Sequence, residues 1–246
     1  MIPKRSILTC ALVFVLAACG GGRDSDTILV ATEAGYPPFE YVDEKGEIVG
    51  FDIDLLRAVA AEAGLNVEFQ NQPFDGIIPG LKAGRYDAAV SAMTITADRA
   101  KAVHFSDPYY DAGQIITVRE AESSIQGVAD LKGKVIAVQL NTTGHLEAKK
   151  VGAREVRTFE SIEPAFLELL KGRADAVIND DPTTRLIVSK KEGLRIIGKP
   201  FTEEKYGIAV RQGNETLLAR INEGLKKVRA SGAYDRIKAR WIGTGR

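Results

Sequence analysis

Residues 50–69 read Gly50-Phe51-Asp52-Ile53-Asp54-Leu55-Leu56-Arg57-Ala58-Val59-Ala60-Ala61-Glu62-Ala63-Gly64-Leu65-Asn66-Val67-Glu68-Phe69. Leu55, Leu56, Val59, Ala60 and Ala63 recur at helical spacing and share one face, which predicts a helix over 52–63. Asp52 is expected to cap it, with Phe51 stapling the entry, and Gly64 to end it. Val67-Glu68-Phe69 then reads as a strand. Upstream, Ile28-Leu29-Val30-Ala31 is another. Downstream come a helix from Ile77 to Ala83 closed by Gly84, a strand over Asp87–Ser91 and a short helix over Ala97–Ala102. Strand, helix, strand, helix, strand is the pattern of a parallel sheet covered on both faces by helices.

The pattern then repeats. Lys134–Val138, Glu155–Arg157, Ala174–Ile178 and Leu194–Ile197 read as strands. Gly144–Lys150 and Ile162–Lys171 read as helices, and another opens at Asp181-Pro182, with Pro at its first position. Two units of this kind predict an α/β protein of two lobes, each a mostly parallel sheet flanked by helices. Extended runs at 111–118 and 206–210 are the expected crossovers, and together they make a hinge beside a cleft. Lobe 1 takes residues 27–110 and 208–246, lobe 2 takes 113–204, and the hinges fall at about 109–113 and 204–208. The last helices, Glu215–Ala230 and Tyr234–Trp241, are expected to pack back on lobe 1.

The chain has 246 residues, with 33 basic and 33 acidic side chains. That length buries a real core, and no basic stretch points to nucleic acid. His104 and His145 lie far apart, and no metal, phosphate-loop, dinucleotide or nucleophile-elbow motif is present. No metal or cofactor is expected. Lys4 and Arg5 precede an apolar run from Ile7 to Ala18, too short for a membrane span of about 20 residues, so residues 1–18 read as a signal peptide. Leu16-Ala17-Ala18-Cys19 resembles a lipoprotein cleavage box. Cys19 is then the lipid-bearing residue, residues 19–26 are a tether, and the protein sits outside the cytoplasm on a lipid anchor.

Five motifs come in order: Tyr36-Pro37-Pro38-Phe39-Glu40, Gly50-Phe51-Asp52-Ile53-Asp54-Leu55, Phe74-Asp75-Gly76-Ile77-Ile78-Pro79, Met93-Thr94-Ile95-Thr96-Ala97-Asp98-Arg99 and Phe105-Ser106-Asp107-Pro108-Tyr109-Tyr110. Tyr206-Gly207-Ile208-Ala209-Val210 and Tyr234-Asp235-Arg236-Ile237 follow. The set resembles the polar amino acid binding proteins of ATP-driven importers, which have the type II periplasmic binding fold. The likeness covers Thr27 to the end. It implies a monomeric binding protein, not an enzyme, that delivers a free amino acid to a membrane permease.

A zwitterionic ligand needs a cation and amide donors for its carboxylate, and an acid for its ammonium. The resemblance assigns the first role to Arg99, whose guanidinium can hold a carboxylate with two parallel hydrogen bonds. Ala92, Met93 and Thr94 add donors beside it. Thr142 and Thr143 face them from the second lobe, with Asn141 in place of the family's glycine; Asn tolerates the left-handed turn expected there. Gln139 lines the same edge. Asp180 matches the ammonium-binding acid, leaving Asp181 to cap the following helix. Tyr36 and Phe74 match two aromatic walls around the side chain. Glu33, at the far end, favours arginine, lysine or histidine as ligand. Glutamine or another polar amino acid is the alternative, and a cyclohexadienyl dehydratase-like enzyme on the same scaffold a more distant one.

Overall fold

The computed structural model describes residues 26–243; the expected signal segment 1–18 and Cys19 lie outside them. From the start, β1 (Thr27–Thr32) leads through a small meander, β2 (Gly35–Tyr36), β3 (Glu40–Val42) and β4 (Ile48–Val49), into α1 (Phe51–Glu62) and β5 (Asn66–Asn71). Then follow α2 (Phe74–Lys82), β6 (Ala88–Ala89), α3 (Ala97–Ala100), β7 (Val103–Phe105), β8 (Tyr110–Ala112) and β9 (Gln114–Arg119). The middle of the chain forms β10 (Val135–Gln139), α4 (Thr143–Lys150), β11 (Glu155–Phe159), α5 (Ile162–Leu170), β12 (Ala176–Asp180), α6 (Asp181–Lys190) and β13 (Leu194–Ile197). The chain returns through β14 (Glu204–Tyr206) to β15 (Ala209–Arg211), α7 (Glu215–Ala230) and α8 (Ala233–Trp241).

Two five-stranded sheets result, ordered β5-β1-β6-β15-β7 and β11-β10-β12-β9-β13. Four strands of each sheet run one way, so both are mostly parallel as the sequence predicts, and each holds one reversed strand. In the first, β15 runs against β6 and β7; in the second, β9 runs against β12 and β13. The reason is the route of the chain. Strands of the βαβ units end at the cleft, whereas β9 and β15 arrive from the crossovers and start there. The crossovers themselves pair as a short antiparallel ladder, with Glu204 opposite Ala112 and Tyr206 opposite Tyr110.

Aromatic side chains anchor that ladder to the first sheet's layer. Phe39 meets Tyr110 and Tyr206 edge-on at 5.0 and 5.2 Å between ring centres, a geometry that contributes roughly 0.5–1.5 kcal/mol per pair beyond area burial. The last two helices pack on lobe 1, as expected: α7 lies along α1, and α8 contacts both.

Asp52 does not cap α1. Gly50 holds the cap position at φ 136°, and a Cβ there would meet the Phe39 carbonyl oxygen at 2.1 Å. Asp52 is the second residue of α1, fully buried, and accepts hydrogen bonds from the Ala92 amide (2.7 Å) and the Tyr109 hydroxyl (2.6 Å). Its carboxyl therefore ties the strand-end loop at 91–94 to the crossover. Thr96 caps α3, and Asn141 takes the expected left-handed turn at φ 59°.

The approach of α7 to α1 depends on Gly224, where a Cβ would stand 2.4 Å from the Val59 carbonyl oxygen. Backbone cannot yield there as a side chain can. Gly224→Ala is expected to destabilise the protein by about 1–3 kcal/mol, read as a lower urea midpoint at unchanged slope.

Candidate functional site

The strand ends of both sheets face each other across a narrow cleft, with about 300 Å³ of space between its walls counting the part open to solvent. Lobe 1 supplies Glu33 beyond β1, Tyr36, Phe74 at the start of α2, Ala92 and Thr94 beyond β6, and Arg99 on α3. Lobe 2 supplies Gln139 at the end of β10, Thr142 and Thr143 at the start of α4, and Asp180 at the end of β12. Strand ends are where open α/β sheets place their sites, because loops there can vary without disturbing the sheet. Of the residues expected in the site, Met93 alone is not part of this lining. Its side chain is 1 % exposed and packs with Ala31, Ile77 and Leu81 in the lobe 1 core. The chain bends here, with Ala92 in the left-handed region at φ 41°, so Ala92 and Thr94 line the cleft while Met93 turns into the core.

Arg99 spans the lobes. Its Nη1 donates to the Thr94 carbonyl (2.8 Å) and its Nη2 to the Asn141 carbonyl (3.0 Å). The guanidinium lies over the Phe74 ring, 5.1 Å from its centre, so Phe74 forms a wall by stacking on the cation. Burial pulls the Arg99 pKa down, and the charges of Asp180 and Glu204 act against that. Tyr36 makes a second link between lobes, its hydroxyl donating to Asn179 Oδ1 at 2.8 Å.

Asp180 faces the cleft and accepts from the Gln114 amide and the Tyr206 hydroxyl. Burial and the nearby Glu204 charge push its pKa up to about 7. Asp181 does not cap α6 as expected. It is the first helical residue, and its carboxylate pairs with Arg185 at 2.8 Å. Thr142 lines the cleft, but its hydroxyl is occupied locally: it accepts from the His145 amide as the α4 cap and donates to the Gln139 carbonyl. The Thr143 hydroxyl is likewise engaged, donating to Glu204 at 2.9 Å and accepting from the Gln114 amide at 3.1 Å.

Three residues that the sequence reading passed over are also here. Glu40 and Ser91 line the cleft, the serine hydroxyl donating to Glu40 at 3.2 Å. Glu204, first in β14, accepts from the hydroxyls of Thr94 (2.6 Å) and Thr143 (2.9 Å), one from each lobe. Glu40 stands in the quoted Tyr-Pro-Pro-Phe-Glu motif, so a carboxyl among apolar neighbours was a usable signal. Glu204 had none, since its place follows from the second crossover's path.

The electrostatics are one-sided. Burial raises Glu33 to about 7, with a hydrogen bond from Gln139 opposing it. Burial likewise raises Asp52 to about 6 and lifts Glu40 well above the usual carboxylate range. The neighbouring Asp52 and Glu33 charges push Glu40 up further, and among the described residues Glu40 Oε2 and Asp52 Oδ1 are buried without a hydrogen-bond partner. The histidines are elsewhere: His104 pairs with Glu215 at 3.3 Å, and His145 Nδ1 accepts from the Asn141 amide. Among the described residues no cluster of three or more potential metal ligands exists.

Carboxyls whose folded pKa exceeds the unfolded value of about 4 bind more protons folded than unfolded. Their contribution to stability is present below pH 4 and is lost as pH rises through 6 to 7. The unliganded protein is therefore expected to melt at a higher temperature at pH 5.5 than at pH 8, checked by calorimetry in matched ionic strength.

The model of the bacterial extracellular solute-binding proteins, family 3, matches residues 28–244. An arginine-binding periplasmic protein of Mannheimia haemolytica is 35 % identical over 246 residues, covering 98 % of this chain and 99 % of the relative. Among solved structures, an ancestral arginine-binding protein bound to arginine superposes with a TM-score of 0.85 at 45 % identity, covering 89 % of this chain and 99 % of that one. The same kind of ancestral protein bound to glutamine gives 0.85 at 46 %, covering 89 % and 98 %. The fold is thus the two-lobed type II periplasmic binding fold, and the chain belongs to the family 3 bacterial extracellular solute-binding proteins.

Proposed function

We propose that the protein captures a free basic L-amino acid between its lobes and hands it to the permease of an ATP-driven importer. The observation that carries this reading is the charge of the cleft. Glu33, Glu40 and Asp180 line it and Glu204 borders it, against the single guanidinium of Arg99. Arginine or lysine brings two cations and one carboxylate, which suits a site with more acids than bases. In this reading Arg99 holds the ligand carboxylate, helped by the Thr94 and Thr143 hydroxyls as they turn to it from Glu204, and Asp180 holds the ammonium. Tyr36 and Phe74 flank the stem, and Glu33 meets the distal cation. The protein acts as a monomer outside the cytoplasm, anchored through lipid on Cys19. The hinges at about 109–113 and 204–208 let residues 27–110 with 208–246 close on 113–204.

Charge-assisted hydrogen bonds contribute about 1.5–3 kcal/mol each, so a few of them with aromatic packing reach the roughly −8 kcal/mol of micromolar binding. Contacts from both lobes exist only in the closed arrangement, so ligand binding favours closure. Glutamine is the second reading, favoured by the glutamine-bound ancestral relative and by Glu33 itself: protonated, it can donate to a neutral amide. A thermal-shift screen against the twenty amino acids separates the two, the largest shift being expected with arginine or lysine.

Three outcomes follow by calorimetry. Arg99→Ala weakens arginine binding about 100-fold or more, as loss of two charge-assisted bonds requires, while the unliganded protein still folds and unfolds in one transition, at a lower temperature for want of the Thr94 and Asn141 contacts. Glu33→Gln weakens arginine and lysine more than glutamine; equal losses would remove the basic preference. Protons compete with a cationic ligand for Glu33 and Asp180, both near 7. Arginine affinity is therefore expected to fall by up to about tenfold per group as pH drops from 7 to 6, with proton release on binding near neutral pH.

A further inference from the structure

Thr94 and Thr143 line two cavities at once. One is the narrow cleft; the other is an open groove of about 1510 Å³ beside the hinge. Between the two hydroxyls stands the carboxylate of Glu204, 2.6 Å from Thr94 Oγ1 and 2.9 Å from Thr143 Oγ1. Its other oxygen accepts from Thr202 at 3.1 Å. All three members of this partition are nearly buried: Thr94 is 5 % exposed, Thr143 9 % and Glu204 9 %. The partition stands at the Arg99 end of the cleft, since Arg99 Nη1 holds the Thr94 carbonyl at 2.8 Å. That is the end at which, on the proposed function, the ligand carboxylate lies.

We propose that Glu204 sets the length of ligand the site accepts, closing off the carboxyl end so that a free amino acid fits and a carboxyl-extended one, such as a dipeptide, does not. The inference rests on the carboxylate-to-Arg99 orientation above and adds to it a residue outside the cleft lining. Two features of the groove support it. It runs between Ile95 of lobe 1 and Leu146 of lobe 2, so a second residue would still lie between the lobes. It also carries Lys150 and Lys205, which pair with Glu147 (2.6 Å) and Asp111 (2.6 Å) and could meet a displaced terminal carboxylate. The partition is made of side chains alone, so shortening one of them connects the two spaces. A glutamine at 204 keeps the bulk and can still bond both threonines; alanine or serine does not fill the gap.

The test is calorimetry on purified wild type, E204A, E204S and E204Q with arginine, arginylglycine, glutamine and glutaminylglycine. Wild type is expected to bind a free amino acid and neither dipeptide. E204A and E204S are expected to gain at least tenfold in affinity for the dipeptide of the preferred amino acid, and E204Q to stay as wild type. Retained binding of the free amino acid shows that each variant is folded. Dipeptide binding by wild type, failure of both shortened variants to admit a dipeptide while binding the amino acid, or admission by E204Q equal to E204A would each overturn the proposal. Preference of wild type for glutamine would remove only the basic reading, and the glutamine pair then reads out the partition.

Discussion

Carboxylates without cations are the constraint to which the rest of the molecule answers. Glu33, Glu40, Asp52 and Asp180 are all nearly excluded from water, and the guanidinium of Arg99 alone opposes them in the cleft. Isolated burial of so many charges would cost far more than a domain's net stability. The protein answers in two ways. Burial pushes Glu40 toward its protonated form, and hydroxyls and amides converge on the others, as Tyr206 and Gln114 do on Asp180 and Tyr109 and Ala92 on Asp52. What stays uncompensated is negative charge, and a dipolar guest with a cationic side chain offsets it.

The same groups also tie the lobes together. Arg99 reaches Asn141, Tyr36 reaches Asn179, and Glu204 joins a threonine from each side. Each such bond replaces one to water and is worth about 0.5–1.5 kcal/mol net, more where a charge takes part. Repulsion among the acids opposes them. A balance between terms of this size is one that a few kilocalories of ligand contact can tip.

Much of the fold was legible because its strands and helices carry strong periodicities. The α1 face, the glycine stops and the repeat of the βαβ unit located the helices and most strands, though not the meander β2–β4 or the edge strand β7. The mostly parallel sheets were legible too, but not the one reversed strand in each, because strand direction at β9 and β15 depends on where the chain crosses between lobes, which no local pattern records. The short-range cap assignments at Asp52 and Asp181 failed for a related reason. A capping residue and a residue recruited by a distant partner look alike in sequence, and Tyr109 and Ala92 claim Asp52 from far along the chain. Cleft residues were legible where they fell in motifs. Met93 was swept in by its neighbours and Glu204 was missed, since the bend at Ala92 decides the first and the hinge ladder the second.

The order of the strands has a consequence for how the polypeptide is made. The second sheet draws all its strands from the unbroken stretch between Gln114 and Ile197, so it can assemble as soon as that stretch has been synthesised. The first sheet cannot: β15, between β6 and β7, and the helix that covers α1 come last. Strands β1, β5 and β6 must wait, with their sheet unfinished, until synthesis is nearly over.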